Sequence, residues 1–536
     1  METAYIVLLV LAVIYIPIWF WVWRNPEKAE RYHLCKYGPC IMIRTQLGMK
    51  TMDRLARYPR FWSAFGFFSK AVSAVLFLMM MYMLVIALMA VPSRIASGSS
   101  IGIEYALAIP GFNPILPLSY GVVALLIAMV VHELGHGIQA RANGARVDSS
   151  GLLYGVVPLG AFVEPNEEDM SKKSRKAQLD MYTAGISVNT VVAVLSIVIL
   201  MGACGTITSD YGDDAGVYRV DAGSPALEAG VPASAIITGF TEAGSGEYSD
   251  AVATADGKQI SVDLLGGEGP DSGLDPTRFY YIHYDYKGQS LTTSEPVQMG
   301  VYIRTLASGA PADSAGIQIG TFLCGFVNPD GSRTMVSSVS EFLNYFSSRN
   351  PGDSITVLIA DVAEYGSTVA VTEKQVTLSE RNGRAYIGMS VSTGGMTFTT
   401  PDILLNTASN PFYGADGAYS YVTSFFSFLS GPFNGADPIP DDVKWWYDTP
   451  GGDVFWIILS LLYWVFWLDI LLAISNALPA YPFDGGFIFA GGLNWLCEKV
   501  GIKDEERRNR LSGNISNCVS SVVLFVFVIV ILSFMM

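Results

Sequence analysis

His132, Glu133 and His136 occur together in the sequence HELGH. On a helix, residues i and i+4 share a face, so both imidazoles can bind one metal ion, with Glu133 beside them as a general base. The segment 120–131, directly before the motif, is apolar and carries no charge. The alternative is a pair of histidines that satisfy local hydrogen bonds near a helix end. Because polar groups at membrane depth are costly, we favour an intramembrane metal site.

Two histidines do not complete a catalytic zinc site, which usually has three protein ligands and a water. Asp484, in the segment NALPAYPFDGG, is the best third ligand. Pro479 and Pro482 in this segment break helical hydrogen bonding, and irregular backbone at membrane depth must be buried or line a wet cavity. Asp469, in the preceding apolar run, is the competing carboxylate. The alternative role for Asp484 is that of a turn residue before two glycines.

The combination of these motifs resembles the site-2 proteases, which are intramembrane zinc metalloproteases, and in particular their archaeal-like members. HELGH matches the zinc motif of that family. NALPAYPFDGG matches its second motif, except that Phe483 replaces the usual Leu or Met. Gly185 followed by Asn189 fits a third element, and 151–164 looks like the family's membrane-associated β-hairpin. The resemblance covers about 119–205 and 454–536.

The resemblance implies that one catalytic Zn²⁺ ion is bound by His132, His136 and Asp484, and that Glu133 is the acid and base. Zinc lowers the pKa of bound water to about 7, so Glu133 can take its proton and pass it to the leaving nitrogen. Asn189 and Asn476 either bind the oxyanion or substrate backbone, or only connect neighbouring helices. The expected reaction is hydrolysis of peptide bonds within transmembrane helices of membrane-anchored substrates.

The expected fold is a polytopic α-helical membrane protein with an extracytoplasmic, β-rich α+β region of PDZ-like domains. Of the 536 residues, 51% are hydrophobic and only 15% are charged. About 20 consecutive apolar residues can cross a bilayer. Six stretches meet this criterion: 4–23, 71–93, 119–141, 183–204, 454–477 and 515–536. The first lacks the features of a cleaved signal peptide, and its tryptophans are typical of an interfacial belt, so we expect a retained helix.

Basic residues predict the orientation of these helices in the cell membrane. The segments 24–70, 141–178 and 498–510 are rich in Lys and Arg, which places them in the cytosol. The N-terminus, the PDZ-like region and the C-terminus then lie outside. His132 precedes Arg141 by nine residues, so the active site lies about 14 Å from the cytosolic boundary at 1.5 Å per residue.

The outer region contains an internal repeat. Residues 224–240 align without gaps on 310–326, and both resemble a PDZ signature whose Gly-Asp pair is degraded here. The first copy is interrupted by a Gly- and Asp-rich stretch and is either partial or circularly arranged. A helix followed by a loop is expected in 341–350, and strands are expected in 354–360 and 369–378. PDZ-like domains of this kind bind a peptide or protein ligand by strand addition, filter substrates by size, or only occupy space.

The resulting domain boundaries place the metal motifs in two separate halves of a core. They are 1–118 (two accessory helices and a basic loop), 119–205 (first half of the core), 206–297 and 298–400 (PDZ-like domains), 401–453 (extracytoplasmic linker) and 454–536 (second half of the core).

Charge and cysteine content exclude some functions. The net charge of −15 belongs largely to the outer region and argues against nucleic-acid binding, which needs a basic surface. Cys35 and Cys40, with His33 nearby, have a spacing compatible with metal ligands, but no second cysteine pair accompanies them. No structural disulfide is expected.

Two other functions remain open at this point. One is a catalytically silent membrane sensor or scaffold that acts through the PDZ-like domains, although such a protein would not need Glu133. The other is a transporter or channel, which would need further charged residues in the helices. The expected partners of the leading function are membrane-anchored protein substrates and the lipid bilayer.

Overall fold

A computed structural model describes residues 2–97, 103–106, 109–244, 248–249, 274–381, 383–434 and 439–535. The chain divides into two compact units. Unit 1 comprises Met1–Ala203, Leu429–Gly435 and Asp453–Met536. Unit 2 comprises Cys204–Phe428 and Ala436–Gly452. The HELGH and NALPAYPFDGG segments both belong to unit 1, although more than 300 residues separate them in the sequence.

Unit 1 is mainly helical. Its helices, numbered along the whole chain, are α1 (Glu2–Arg24), α2 (Pro26–Glu30), α3 (Met49–Leu55), α4 (Pro59–Ser97), α5 (Leu118–Ala142), α6 (Glu167–Ser171), α7 (Arg175–Cys204), α13 (Gly452–Asn476), α14 (Asp484–Lys499) and α15 (Glu505–Met535). The long helices are apolar around most of their circumference, as expected for helices that contact both lipid and protein. Short 3₁₀ turns occur at Ile103–Ala106 and Gly431–Asn434.

Five helices of the described chain are long and apolar enough to cross a membrane. These are Pro59–Pro92, Leu118–Ala142, Arg175–Cys204, Gly452–Asn476 and Glu505–Phe534. The sequence predicted six. The first predicted span lies in α1, which is not one of the five, and its crossing of the membrane stays a prediction.

A four-stranded antiparallel sheet lies in unit 1, in the order β1-β2-β3-β4. Its strands are β1 (Leu34–Tyr37), β2 (Cys40–Thr45), β3 (Val147–Tyr154) and β4 (Pro158–Pro165). Strands β3 and β4 are the hairpin expected at 151–164. The sequence did not predict β1 and β2, which extend the hairpin on one side and leave β4 as an edge strand. Pairing of Ile43 with Leu152 joins the two hairpins.

Unit 2 contains a sheet of thirteen strands. The strands are β5 (Gly216–Val220), β6 (Ile236–Glu242), β7 (Tyr248–Ser249), β8 (Phe279–Tyr286), β9 (Gln289–Thr292), β10 (Val297–Gln298), β11 (Val301–Leu306), β12 (Phe322–Val327), β13 (Arg333–Met335), β14 (Ser354–Ala360), β15 (Val371–Thr377), β18 (Met389–Thr393) and β19 (Met396–Thr399). The separate pair β16 (Ser379–Arg381) and β17 (Arg384–Tyr386) forms a short hairpin. The helices of unit 2 are α8 (Pro225–Glu228), α9 (Pro311–Ser314), α10 (Val339–Ser347), α11 (Pro401–Ser409) and α12 (Ala418–Ser430). A 3₁₀ turn occurs at Asp441–Trp446.

The internal repeat is visible in unit 2, where each copy contributes to a different hydrophobic core. In each copy a short helix that begins with proline, α8 or α9, precedes a buried strand, β6 or β12. One core contains Phe240 and Ile282, and the other contains Phe326 and Val357. The first core also includes Phe398, because β19 pairs with β5.

The first copy of the repeat is thus completed by a strand that lies after the second copy in the sequence. The strands and helix expected in the second copy are present as β14, β15 and α10. The segment 401–453, expected to be a linker, contains α11 and α12. PDZ-like identity of the two copies stays a prediction.

Candidate metal centre

Three ligand atoms from distant parts of the sequence meet in unit 1. Nε2 of His132 lies 3.1 Å from Nε2 of His136. Oδ2 of Asp484 lies 3.2 Å from each of these two nitrogens. Tetrahedral zinc with bonds of 2.0–2.1 Å holds its ligand atoms about 3.3 Å apart. The triangle therefore has the size of one face of a zinc coordination sphere.

The protonation of His136 follows from its second ring nitrogen. Nδ1 of His136 lies 2.8 Å from the carbonyl oxygen of Met181. A carbonyl can only accept, so Nδ1 carries the proton and Nε2 presents a lone pair. Such a bond to the outer nitrogen is the usual support of a metal-binding histidine.

The triangle consists of three atoms that can each present a lone pair to its centre. Both histidines are buried, and the Asp484 side chain is 14% exposed. Among the described residues, no hydrogen bond is made by Oδ2 of Asp484 or by Nδ1 of His132. Buried lone pairs this close repel one another unless a proton or a metal ion lies between them, and the nitrogen and carboxylate donor set fits a metal ion.

Helix α5 positions both histidines. Its buried face includes Ala124, Ala128, His132 and His136 at intervals of four residues. The 3.6-residue period of the helix therefore brings both imidazoles to the same side. This face packs inside unit 1, and the apolar residues around it exclude most water from the ligands.

Helix α7 approaches the histidines closely because it carries Gly185. A Cβ atom at Gly185 would lie 2.4 Å from Nε2 of His136 and 2.8 Å from Nε2 of His132. Both distances are shorter than van der Waals contact. Only glycine allows α7 to cover the two ligand atoms, which gives a physical reason for glycine at this position.

Asp484 is brought to the site by the break between α13 and α14. Helix α13 ends at Asn476, and α14 begins at Asp484. The seven-residue loop between them turns so tightly that a Cβ at Gly485 would lie 2.4 Å from the carbonyl oxygens of Ala477 and Leu478. Asp484 can thus begin a helix immediately beside the end of the previous one.

The side chain of Glu133 extends from α5 to the edge strand β4. Its Oε2 accepts a hydrogen bond of 2.9 Å from the backbone N–H of Val163. The Glu133 carboxylate is therefore bonded to the sheet rather than to His132, His136 or Asp484. In an antiparallel strand alternate N–H groups point to opposite sides. Since the N–H of Val163 points away from β3, that of Ala161 does too.

The other candidate residues differ in their surroundings. Asn189 is fully buried, and its Nδ2 donates to the carbonyl of Ala128 on α5 at 3.3 Å. Its Oδ1 has no hydrogen-bond partner among the described residues. Nδ2 of Asn476 donates at 3.0 Å to the carbonyl of Leu472 on its own helix. Asp469 is buried but does not belong to the group of close ligand atoms.

No second cluster of three or more metal-binding side chains occurs in the part of the chain that the structure describes. Cys35 and Cys40 lie on the β1–β2 hairpin, where Cys35 pairs with Met42 and Tyr37 with Cys40. All six cysteines of the chain are free.

Sequence reasoning missed two residues that hold the site through their backbone. These are Met181, which accepts from His136, and Val163, which donates to Glu133. A backbone carbonyl or N–H is common to almost every residue, so side-chain patterns carry no signal for either. Val163 lies in the expected hairpin at 151–164, but nothing in the sequence connected it to Glu133.

Known proteins resemble this chain over the same region that contains the candidate metal centre. The model of Peptidase family M50 matches residues 120–511, which include His132, Glu133, His136 and Asp484. The uncharacterized protein MJ0971 of Methanocaldococcus jannaschii is 30% identical over 203 residues. That match covers 37% of this chain and 52% of the relative, so the chain spans about half the length of that protein. The resemblance to site-2 proteases and to archaeal sequences is confirmed.

Proposed function

The chain belongs to peptidase family M50, and we propose that it is a zinc-dependent endopeptidase that cleaves transmembrane helices of membrane-anchored substrates. The observation that carries the proposal is the triangle of His132, His136 and Asp484, with edges of 3.1–3.2 Å. Its two histidines lie on α5, a helix long and apolar enough to span a membrane. Glu133 lies one residue along the same helix.

In this proposal the three ligands hold the metal, and Glu133 moves protons. A zinc ion bound there lowers the pKa of a coordinated water to about 7 and polarises the scissile carbonyl. Glu133 takes the water proton as the oxygen attacks the carbonyl carbon. It then delivers that proton to the amide nitrogen as the C–N bond breaks. The proton balance closes without another acid or base.

The substrate must present an extended backbone, since a helix satisfies its own peptide groups. The edge strand β4 offers unpaired backbone groups at Ala161 next to Glu133. An unwound substrate segment that adds to β4 would lie beside both the base and the metal ligands. Strand addition would hold the scissile peptide extended during hydrolysis.

Asn189 and Asn476 are proposed to contact the oxyanion or the substrate backbone, and only their amide nitrogens can donate to an oxyanion. Nδ2 of Asn189 donates one hydrogen to the carbonyl of Ala128, and Nδ2 of Asn476 donates one to the carbonyl of Leu472, so each nitrogen has a second N–H for such a contact. Oδ1 of Asn189, which has no partner among the described residues, is an acceptor and can contact only a substrate donor such as a backbone N–H.

The orientation in the membrane is also a proposal. The basic segments 24–70, 141–178 and 498–510 favour a cytosolic location, which puts the site nearer the cytosolic side. The N-terminus, unit 2 and the C-terminus are then outside, and α1 counts as a sixth span. Peptide binding or size filtering by unit 2 stays a prediction.

A single pair of measurements on purified protein tests the proposal. Wild type should contain one zinc ion per chain and cleave a model transmembrane substrate in liposomes. Glu133→Gln should keep the zinc and lose cleavage, because it removes the proton acceptor and no ligand. Glu167→Gln, in α6 outside the site, is the matched control and should cleave normally. Equal cleavage by Glu133→Gln and wild type would refute the mechanism.

The same measurements separate the alternatives. If the chain is a silent sensor or scaffold, wild type would bind metal but would not cleave the model substrate. A transporter or channel would conduct ions in liposomes irrespective of Glu133. Retention of Glu133 on the strand edge favours catalysis, since neither alternative uses a carboxylate at that position.

A further inference from the structure

Helix α4 lies outside the region matched by the family model, yet it is bonded to α5, which carries His132 and His136, and to α7, which covers them. Nε2 of Gln139 on α5 donates to the carbonyl of Trp62 at 3.2 Å. Oγ of Ser187 on α7 donates to the carbonyl of Ser69 at 3.3 Å. An ion pair between Lys70 and Asp180 is the third connection. An apolar helix that contacted its neighbours only through van der Waals packing would make none of these polar contacts.

We infer that the ion pair of Lys70 and Asp180 positions the metal ligand His136. The inference rests on the proposed function and adds to it a positioning pair contributed by α4. Among the described residues, Lys70 and Asp180 form an ion pair with each other and none with His132, His136 or Asp484. They act through the backbone of α7, which carries the hydrogen-bond acceptor of His136.

Asp180 is built into the contact between the two helices. Its side chain is only 3% exposed, whereas that of Lys70 is 30% exposed. A Cβ at Gly66, one turn before Lys70, would lie 2.5 Å from Cγ of Asp180. The carboxylate therefore lies against the backbone of α4 at Gly66, where any larger residue would place its Cβ in the same space. A buried carboxylate requires a partner, and Lys70 is the ionic one.

The residue that follows Asp180 is Met181, whose carbonyl accepts from Nδ1 of His136 at 2.8 Å. Hydrogen bonds of this type weaken beyond about 3.2 Å. A shift of α7 by a few tenths of an ångström at Asp180 is thus enough to release the ring of His136. The imidazole of His136 can then rotate, so that its Nε2 no longer points toward His132 and Asp484.

The expected effect is a loss of metal affinity. Removing the outer partner of a metal-binding histidine typically weakens metal binding by about 10–100-fold. Lys70→Met leaves the Asp180 carboxylate without its cation, and the carboxylate must move toward water. We expect it to weaken zinc binding by about 10–100-fold, by the same route. Lys70→Arg, which keeps the charge, should restore affinity to nearly that of wild type.

Gly66→Ala gives a second and independent perturbation. It keeps both charges and improves the helix propensity of α4, but the new methyl group displaces Asp180. It should therefore weaken zinc binding in the same way. Lys172→Met is the matched control, because Lys172 pairs with Glu168 on the exposed helix α6. That variant should bind zinc like wild type.

The measurement is chelator competition for zinc on the purified full chain, with the absorption spectrum of the Co²⁺-loaded protein as a second readout. Weaker binding and an altered Co²⁺ spectrum in Lys70→Met and Gly66→Ala support the inference. Wild-type affinity in either folded variant overturns it. Loss of folded protein in both also overturns it, in favour of a purely structural pair. If wild type binds no zinc, the proposed function itself fails.

Discussion

Gly185→Ala should abolish tight zinc binding with a single added methyl group. The new Cβ would lie 2.4 Å from Nε2 of His136 and 2.8 Å from Nε2 of His132. Ordinary contact begins near 3.4 Å, so the ring of His136 must retreat by about 1 Å, whereas metal-ligand distances tolerate about 0.2 Å. His136 cannot retreat freely, since its Nδ1 is bonded to Met181.

The expected loss is at least about 100-fold in zinc affinity, or about 2.8 kcal/mol, because one ligand is displaced. Cleavage of a model transmembrane substrate in liposomes should be lost in parallel. Affinity is measured by chelator competition, and cleavage by gel separation of the products. Both assays use the full chain.

Gly202→Ala on the same helix is the matched control. A Cβ at Gly202 meets nothing within 4 Å, and alanine favours a helix by about 1 kcal/mol over glycine. This variant should bind zinc and cleave like wild type. If Gly185→Ala also keeps wild-type zinc affinity, then His132 and His136 do not bind the metal in the geometry described, and the reasoning fails.

Three further outcomes are expected. Asp484→Asn should release zinc, whereas Asp469→Asn should retain it because Asp469 lies outside the ligand group; metal analysis distinguishes the two, and equal retention contradicts the assignment. Ala161→Pro should reduce cleavage without reducing zinc content, since proline removes one edge N–H of β4, while Ala161→Val should have little effect. Burial and two neighbouring carboxylates raise the pKa of Asp214 to about 6. Its contribution to stability is therefore present below about pH 4 and lost as pH rises through 6, so Asp214→Asn should raise the melting temperature of the full chain above pH 6 only. After discounting for solvent exposure, the effect is about 1 kcal/mol, and an equal gain at pH 4 would contradict it.

The ligand set was predictable because its signals are local. His132 and His136 are spaced for one helix face, and Asp484 stands in a stretch broken by prolines. Their meeting within 3.2 Å required only that two apolar helices pack together. The family resemblance supplied the pairing of segments that are distant in the sequence.

Other parts of the fold could not be read from the sequence because they depend on partners far along the chain. Strand β2 forms because it pairs with β3, as Ile43 does with Leu152, and the same residues alone look like a basic loop. Helix α4 is apolar all round, so its composition did not indicate that Lys70 meets Asp180. In unit 2, β19 completes the first repeat through long-range pairing with β5, which no local pattern encodes.

The position of the cleaved bond tests the central claim most directly. Wild type and Glu133→Gln are reconstituted separately with a transmembrane substrate, and the products are identified by mass spectrometry. We predict new termini within the membrane-spanning segment of the substrate, produced by wild type and absent with Glu133→Gln. Cleavage only in the soluble part of the substrate, or identical products from both proteins, would contradict intramembrane hydrolysis at His132, His136 and Asp484.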